Sequence, residues 1–128
     1  MARTESKLTP AQLEIMNLFW EHGELGVAQV WQMLSSQRPV ARNTAQTMLK
    51  RLTDKGWLQA RVQGNAFYFR AARPQKSTLR GMLGQLLDGA FGGSPSGLVM
   101  ALMESRRISP AEAQRIRELI DGMQGDKR

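Results

Sequence analysis

The run Arg42-Asn43-Thr44-Ala45-Gln46-Thr47-Met48-Leu49-Lys50-Arg51-Leu52-Thr53-Asp54-Lys55-Gly56 separates into two faces once it is wound as a helix. Ala45, Met48, Leu49 and Leu52 fall at i, i+3, i+4, i+7, the spacing of a buried stripe. Asn43, Gln46, Thr47 and Lys50 repeat that spacing on the other side. Amides, a hydroxyl and an ammonium are the groups that reach base edges and phosphates in a DNA major groove. Gly56 closes the helix, and Arg51 and Lys55 sit where the helix dipole is negative. An ordinary amphipathic surface helix shows a polar outer face too, so the neighbouring segments have to discriminate.

Working back toward the N-terminus, Leu8-Thr9-Pro10-Ala11-Gln12-Leu13 is a dense helix start. Thr9 is placed to cap, Pro10 suits the first helical position, and Gln12 completes a capping box. Leu8 and Leu13 are spaced for a hydrophobic staple. Leu13, Met16, Phe19 and Trp20 are expected to be buried, with Gly23 ending the helix. A second, shorter helix is expected over Ala28 to Ser36, with Val27, Val30, Trp31 and Leu34 as its apolar face. Pro39 breaks the chain before the third helix, because proline disfavours helix in the residue ahead of it. Ala41 is a poor cap for that third helix, at a cost of about 1 kcal/mol against Ser or Asp.

Past Gly56 the period changes to two. Leu58, Ala60 and Val62 fall on one side of a strand, and Phe67 and Phe69 answer them on another. Gln63-Gly64-Asn65-Ala66 supplies turn chemistry between them, giving a β-hairpin that carries Arg61 and Arg70. Two helices, a third with an exposed polar face, and then a hairpin make a winged helix-turn-helix. That order is far more specific than any one element, and it favours nucleic-acid binding by the N-terminal part.

Composition points the same way. The chain has 128 residues and a net charge of +7, with pI near 10.8. Residues 1–74 hold ten Lys and Arg against five Asp and Glu, net +5; residues 75–128 hold eight against six, net +2. The attraction to polyanions therefore lies mainly in the first part. With no cysteine, disulfides, thiolate metal sites and thiol catalysis are excluded. No apolar run is long enough to span a bilayer, and the first ten residues lack a secretory core, so a cytoplasmic location without membrane insertion is expected. His22, the sole histidine, has no acid, nucleophile or second ligand placed with it. No enzyme activity, metal or cofactor is expected.

Arg73-Pro74 reads as a boundary between a winged-helix domain (1–74) and a helical module (75–128). Leu79, Met82, Leu83, Leu86, Leu87 and Ala90 restore the helical period from Ser77. Gly92-Gly93-Ser94-Pro95-Ser96-Gly97 interrupts it. Leu98 to Met103 is almost wholly apolar and is expected to form a short buried helix. Ser109 and Glu112 repeat the capping logic of the first helix, and Ile116, Leu119, Ile120 and Met123 follow. The tail from Gly122 to Arg128 is expected to fray. Three helices this small rarely supply an isolated core. A second copy would bury the excess, so Leu79, Leu83, Leu86, Leu87, Leu98, Leu102, Ile116, Leu119, Ile120 and Met123 are expected at a homodimer interface. The competing reading packs this module back on its own winged helix.

Leu8-Thr9-Pro10-Ala11-Gln12-Leu13-Glu14-Ile15-Met16, the Thr44–Leu52 helix and Lys55-Gly56-Trp57-Leu58 resemble the penicillinase-repressor family (BlaI/MecI/CopY). The N-terminal resemblance covers residues 8–72; Ser96-Gly97-Leu98-Val99 and the last helix resemble that family's dimer region more weakly. The resemblance implies a homodimeric winged-helix repressor that blocks transcription at a palindromic operator. It places Asn43, Thr44, Gln46 and Thr47 on the reading helix and Gly64-Asn65 on the wing. In β-lactam-responsive members a membrane sensor-protease cuts an Asn-Phe bond in the C-terminal module. The similar positions here are Ala101-Leu102, which departs from that preference. Copper-responsive members carry C-terminal cysteines, which are absent. The inducing signal is therefore open, with proteolysis within Leu98–Met103 one route to release.

The expected partners are thus an operator duplex, a second copy and, through the resemblance alone, a sensor-protease. Gln46 or Asn43 would bond an adenine edge, Thr47 would touch a thymine methyl, and Arg42, Lys50, Arg51 and Arg61 would hold phosphates. A winged-helix protein-interaction module without DNA is the alternative, its basic surface then meeting an acidic partner. A small enzyme and a membrane-surface binder find little support in the residues.

Overall fold

The structure, a computed structural model, describes residues 7–126. Residues 1–6, part of the stretch read for a secretory core, lie outside it, as do 127 and 128 of the tail.

Helix α1 (Pro10–His22) starts as its sequence dictates. The Gln12 backbone N–H donates to Thr9 Oγ1 at 3.1 Å, and the Thr9 N–H donates to Gln12 Oε1 at 3.1 Å. Gly23, at φ +83, stops it. The buried face is Gln12, Ile15, Met16 and Phe19. Leu13 and Trp20, expected inside, are only half-buried. The Trp20 indole is held at the margin because its Nε1 donates to the Arg73 carbonyl at 2.9 Å. Ile15 takes the central place that the expectation gave to its neighbours.

A two-residue strand follows, β1 (Leu25–Gly26), which the sequence reading did not contain. It pairs antiparallel with the hairpin, Leu25 opposite Phe69 and Gly26 opposite Tyr68. Two residues are too short to display a period of two, so no pattern announced it. Gly26 suits the place: a Cβ there would lie 3.4 Å from the Tyr68 ring.

Helix α2 (Val27–Ser35) buries Val30 and Leu34. Gln29 reaches back so that its Oε1 accepts the Gly26 N–H at 2.9 Å. In the turn that follows, Trp31 Nε1 donates to the Val40 carbonyl at 2.7 Å, fixing the approach to helix α3 (Arg42–Asp54). Ala45, Leu49 and Leu52 on α3 are wholly buried and Met48 half-buried, matching the stripe read from the sequence. As expected, Ala41 offers α3 no side-chain cap. At the other end Gly56, at φ +87, donates its N–H to the Thr53 carbonyl at 3.0 Å, and Trp57 donates to the Leu52 carbonyl at 2.9 Å. These two bonds form a Schellman motif, which needs the left-handed backbone glycine adopts freely.

Strands β2 (Leu58–Gln63) and β3 (Ala66–Ala71) form the hairpin, and β3 lies between β1 and β2. Gly64, at φ +64, opens the two-residue Gly64-Asn65 turn. The register sets Leu58 opposite Ala71, Ala60 opposite Phe69 and Val62 opposite Phe67. That row matches the alternation in the sequence, yet only its base is buried. Leu58 and Phe69 enter the core with Ile15, Met16, Phe19, Leu25, Val30, Leu34, Leu49 and Leu52, whereas Val62 and Phe67 stay 60% and 55% exposed. The hairpin outgrows the helices beneath it, so its distal half projects as a wing.

Helix α4 (Gln75–Ala90) begins directly after Pro74. Its first turn is tied down, with Thr78 buried and its Oγ1 donating to the Pro74 carbonyl at 2.8 Å. The chain divides into two compact units, one ending at Leu79 and the next beginning at Arg80, so the division falls within α4. Helix α5 (Pro95–Glu104) is capped by Ser94, whose Oγ accepts the Gly97 N–H at 3.0 Å. In helix α6 (Pro110–Asp126) the Glu112 N–H donates to Ser109 Oγ at 3.1 Å, as read. This helix runs on through Gly122, where fraying was expected.

Burial is the main correction in this part. The Leu98–Met103 run lies on α5 as a helix, but not a buried one: Val99, Met100, Leu102 and Met103 are exposed and Leu98 is half-buried. Leu79, Leu83 and Leu86 on α4 and Leu119, Ile120 and Met123 on α6 are exposed as well. Leu87 and Ile116 are half-buried. A three-helix segment has too little interior for so many large side chains within one chain.

Candidate nucleic-acid interface

The arrangement inside α3 separates polar from packing side chains residue by residue. Asn43, Gln46, Thr47 and Lys50 are all exposed, on the side away from Ala45, Leu49 and Leu52. Arg42 and Gln46 line one side of an open cleft of about 450 Å³. Its other walls are the start of α2 (Val27, Ala28, Gln29) and the wing residues Asn65, Phe67 and Tyr68. The structure thus brings together Arg42, Gln46 and Asn65, which the sequence placed on two separate elements. Arg42 also lies over the Trp31 ring, 5.7 Å from its centroid, which steadies the guanidinium at the mouth of the cleft.

The remaining cations are disposed differently. Lys50 Nζ is 3.2 Å from Asp54 Oδ2, one turn along the same helix face, with both side chains largely exposed. Arg51 is exposed on the last turns of α3. Thr44 is exposed too, but it lines a different cleft, with Ala11, Glu14, Arg38 and Met48. There Arg38 donates to both Glu14 oxygens, at 2.7 and 3.2 Å, and holds that carboxyl below its ordinary range.

Arg61 is the most heavily engaged of the expected site residues. Its Nη2 and Nε donate to the two oxygens of Glu24 at 2.7 and 2.9 Å, and its Nη1 donates to Gln63 Oε1 at 2.6 Å. The guanidinium lies 5.2 Å from the centroid of the Tyr68 ring. Hydrogen bonding from Arg61 lowers the pKa of Glu24 and, in return, that bond raises the pKa of Arg61. Arg70 is held by Gln59 Oε1, at 2.9 and 3.1 Å.

The sequence reading missed Glu24, Gln29 and Tyr68 as neighbours of the site. Tyr68 was within reach: in Phe67-Tyr68-Phe69 the period of two puts it on the face opposite the phenylalanines. Glu24 was not, because 37 residues separate it from Arg61 and only the β1 pairing brings them together.

A polar-faced third helix beside a projecting hairpin defines a winged helix-turn-helix protein. Comparison with known proteins carries this further. Residues 8–122 match the family model described as penicillinase repressor. A penicillinase repressor of Bacillus licheniformis is 24% identical over 115 residues, covering 90% of each chain. The solution structure of the DNA-binding domain of the repressor BlaI superposes with a TM-score of 0.52 at 29% identity, over 59% of this chain and 90% of that one. The Bacillus licheniformis BlaI monomeric form in complex with the blaP half-operator gives a TM-score of 0.50 at 29% identity, over 56% and 88%. The chain belongs to the penicillinase repressor family. That family consists of DNA-binding transcriptional repressors, which are not enzymes. Among the described residues no helix is long and apolar enough to cross a membrane, and no cluster of potential metal ligands occurs.

Proposed function

We propose that this chain represses transcription by binding a palindromic operator as a homodimer in the cytoplasm, with each protomer seating α3 in a major groove. The observation that carries this is the exposed Asn43/Gln46/Thr47/Lys50 face standing beside a cleft that also takes in Arg42 and wing residue Asn65. Gln46 or Asn43 is assigned to an adenine edge and Thr47 to a thymine methyl. Thr44 shares the reading helix, on its α1-facing flank. Arg42, Lys50, Arg51 and Arg61, with the Gly64-Asn65 turn, are assigned to the sugar-phosphate backbone, where they set register without carrying sequence information. The half-operator in the BlaI complex supports this reading by similarity.

Pairing is assigned to residues 75–128. Leu79, Leu83, Leu86, Leu102, Leu119, Ile120 and Met123 are exposed in the single chain, and Leu87, Leu98 and Ile116 are half-covered. A second copy is the occupant that fits, because a two-fold partner presents the same apolar stripes in return and a palindrome requires two readers. One route of release is cleavage within Leu98–Met103, at or near Ala101-Leu102, by a membrane-bound sensor-protease; the inducing signal itself stays open, because Ala101-Leu102 departs from the Asn-Phe preference. This bond sits inside α5, so cutting it needs a local opening of that helix.

The test is a gel-shift of the full chain with the DNA upstream of its own gene, alongside sedimentation of the free protein. A retarded band that weakens steeply with salt, from a species of twice the chain mass, is expected. A lack of retardation at low salt defeats the DNA reading; a monomer at all concentrations defeats the pairing.

A further inference from the structure

The wing carries two strand cations, Arg61 and Arg70, and each already has a partner within the protein. Arg70 is bound by a neutral amide, Gln59. Arg61 is bound by a carboxylate, Glu24, through two parallel N–H···O bonds of 2.7 and 2.9 Å. Paired bonds from one guanidinium to two oxygens of an anion are also how arginine grips a phosphate. The Tyr68 ring beneath Arg61 lines the same cleft as Arg42 and Gln46, so the ion pair borders the surface assigned to DNA. Both partners are well exposed, at 49% and 36% of their side chains, and an exposed ion pair contributes little to stability.

We infer that Glu24 is an internal stand-in for a DNA phosphate: it competes for Arg61, so that the sequence-blind contact assigned to Arg61 forms only in part in the wild-type complex. The inference rests on the reading of α3 and the wing as a DNA surface. Arg61 reaches a phosphate only by giving up Glu24, and the stranded carboxylate then faces the polyanion. Glu24 thereby caps the electrostatic, sequence-independent part of the affinity and leaves discrimination to α3. The other groups around the guanidinium, Gln63 and Tyr68, are uncharged and do not compete in this way.

The experiment measures binding of full-length wild type, Glu24→Gln, Arg61→Gln and Glu24→Gln/Arg61→Gln to two labelled duplexes, one of random sequence and one from upstream of the gene. Glu24→Gln should bind both duplexes more tightly than wild type. Up to one added phosphate contact makes that gain smaller at 200 mM salt than at 50 mM, by at most about three- to fourfold. In the Arg61→Gln background the same Glu24→Gln change should give no gain. Equal or weaker binding by Glu24→Gln in the wild-type background overturns the inference. So does an equal gain from Glu24→Gln in the Arg61→Gln background, because it would then come from removing a negative charge and not from freeing Arg61. If wild type binds neither duplex at low salt, the DNA reading itself fails, and that outcome is distinct from the other two. Melting curves of the variants, expected to overlay wild type, show that the fold is kept.

Discussion

Gln46 is where chemistry and geometry meet most directly. It is exposed on α3 and lines the cleft shared with Arg42 and Asn65. Replacing it with Ala should cost roughly 1–3 kcal/mol on the operator and relax preference at one base position. Comparing specific with random DNA checks this; an equal loss on both would assign Gln46 to the backbone. Glu14 offers a second prediction at this scale. Its pKa is lowered mainly by the hydrogen bond from Arg38. A carboxyl with a depressed folded-state pKa adds stability above its unfolded pKa and loses it as pH falls through the folded one. Glu14→Gln should therefore lower the urea midpoint slightly at neutral pH, by the equivalent of less than about 1 kcal/mol. The difference should vanish once the pH drops below the ordinary carboxylate range.

At the scale of elements, the ends of α3 differ sharply. Its C-terminus is closed by the Schellman bonds around Gly56, while its N-terminus has only Ala41. Gly56→Ala should cost about 1–2 kcal/mol, because an L side chain resists the left-handed region. Ala41→Ser should raise stability by about 1 kcal/mol by supplying the missing cap. Urea unfolding of the two variants against wild type checks both signs. The same elements explain what the sequence alone revealed. The faces of α3 and the hairpin register were legible because Ala45, Leu49 and Leu52 keep a helical period and Leu58 to Val62 a strand period. Strand β1 was not, since Leu25 and Gly26 cannot express any period. How deep the hairpin sits was hidden too: Val62 continues the pattern of Leu58, and only tertiary packing shows where cover runs out. The grip of Glu24 on Arg61 lay beyond local pattern altogether.

For the whole molecule, the apolar surface of α4, α5 and α6 governs behaviour. Composition promised burial for Val99, Leu102 and Leu119, and a single chain leaves all three exposed. A carboxylate placed in a dimer core would be desolvated without a partner, at a cost of several kcal/mol. Leu119→Glu, at a position 58% exposed in the single chain, should therefore leave the protomer folded and split the proposed dimer. Sedimentation should show the halved mass. Affinity for a palindrome should collapse toward that for a half-site, because the gain from linking two readers is lost.

The start of α4 also bears on the proposed release by cleavage. Trp20 donates to the Arg73 carbonyl just ahead of α4, Thr78 in its first turn is buried and donates to the Pro74 carbonyl, and the N-terminal unit extends to Leu79. A nick at Ala101-Leu102 falls more than twenty residues downstream and leaves every one of those bonds intact. The severed reader should then persist as a folded, solitary half-site binder, and recovery would wait on dilution and turnover of that fragment, not on its collapse.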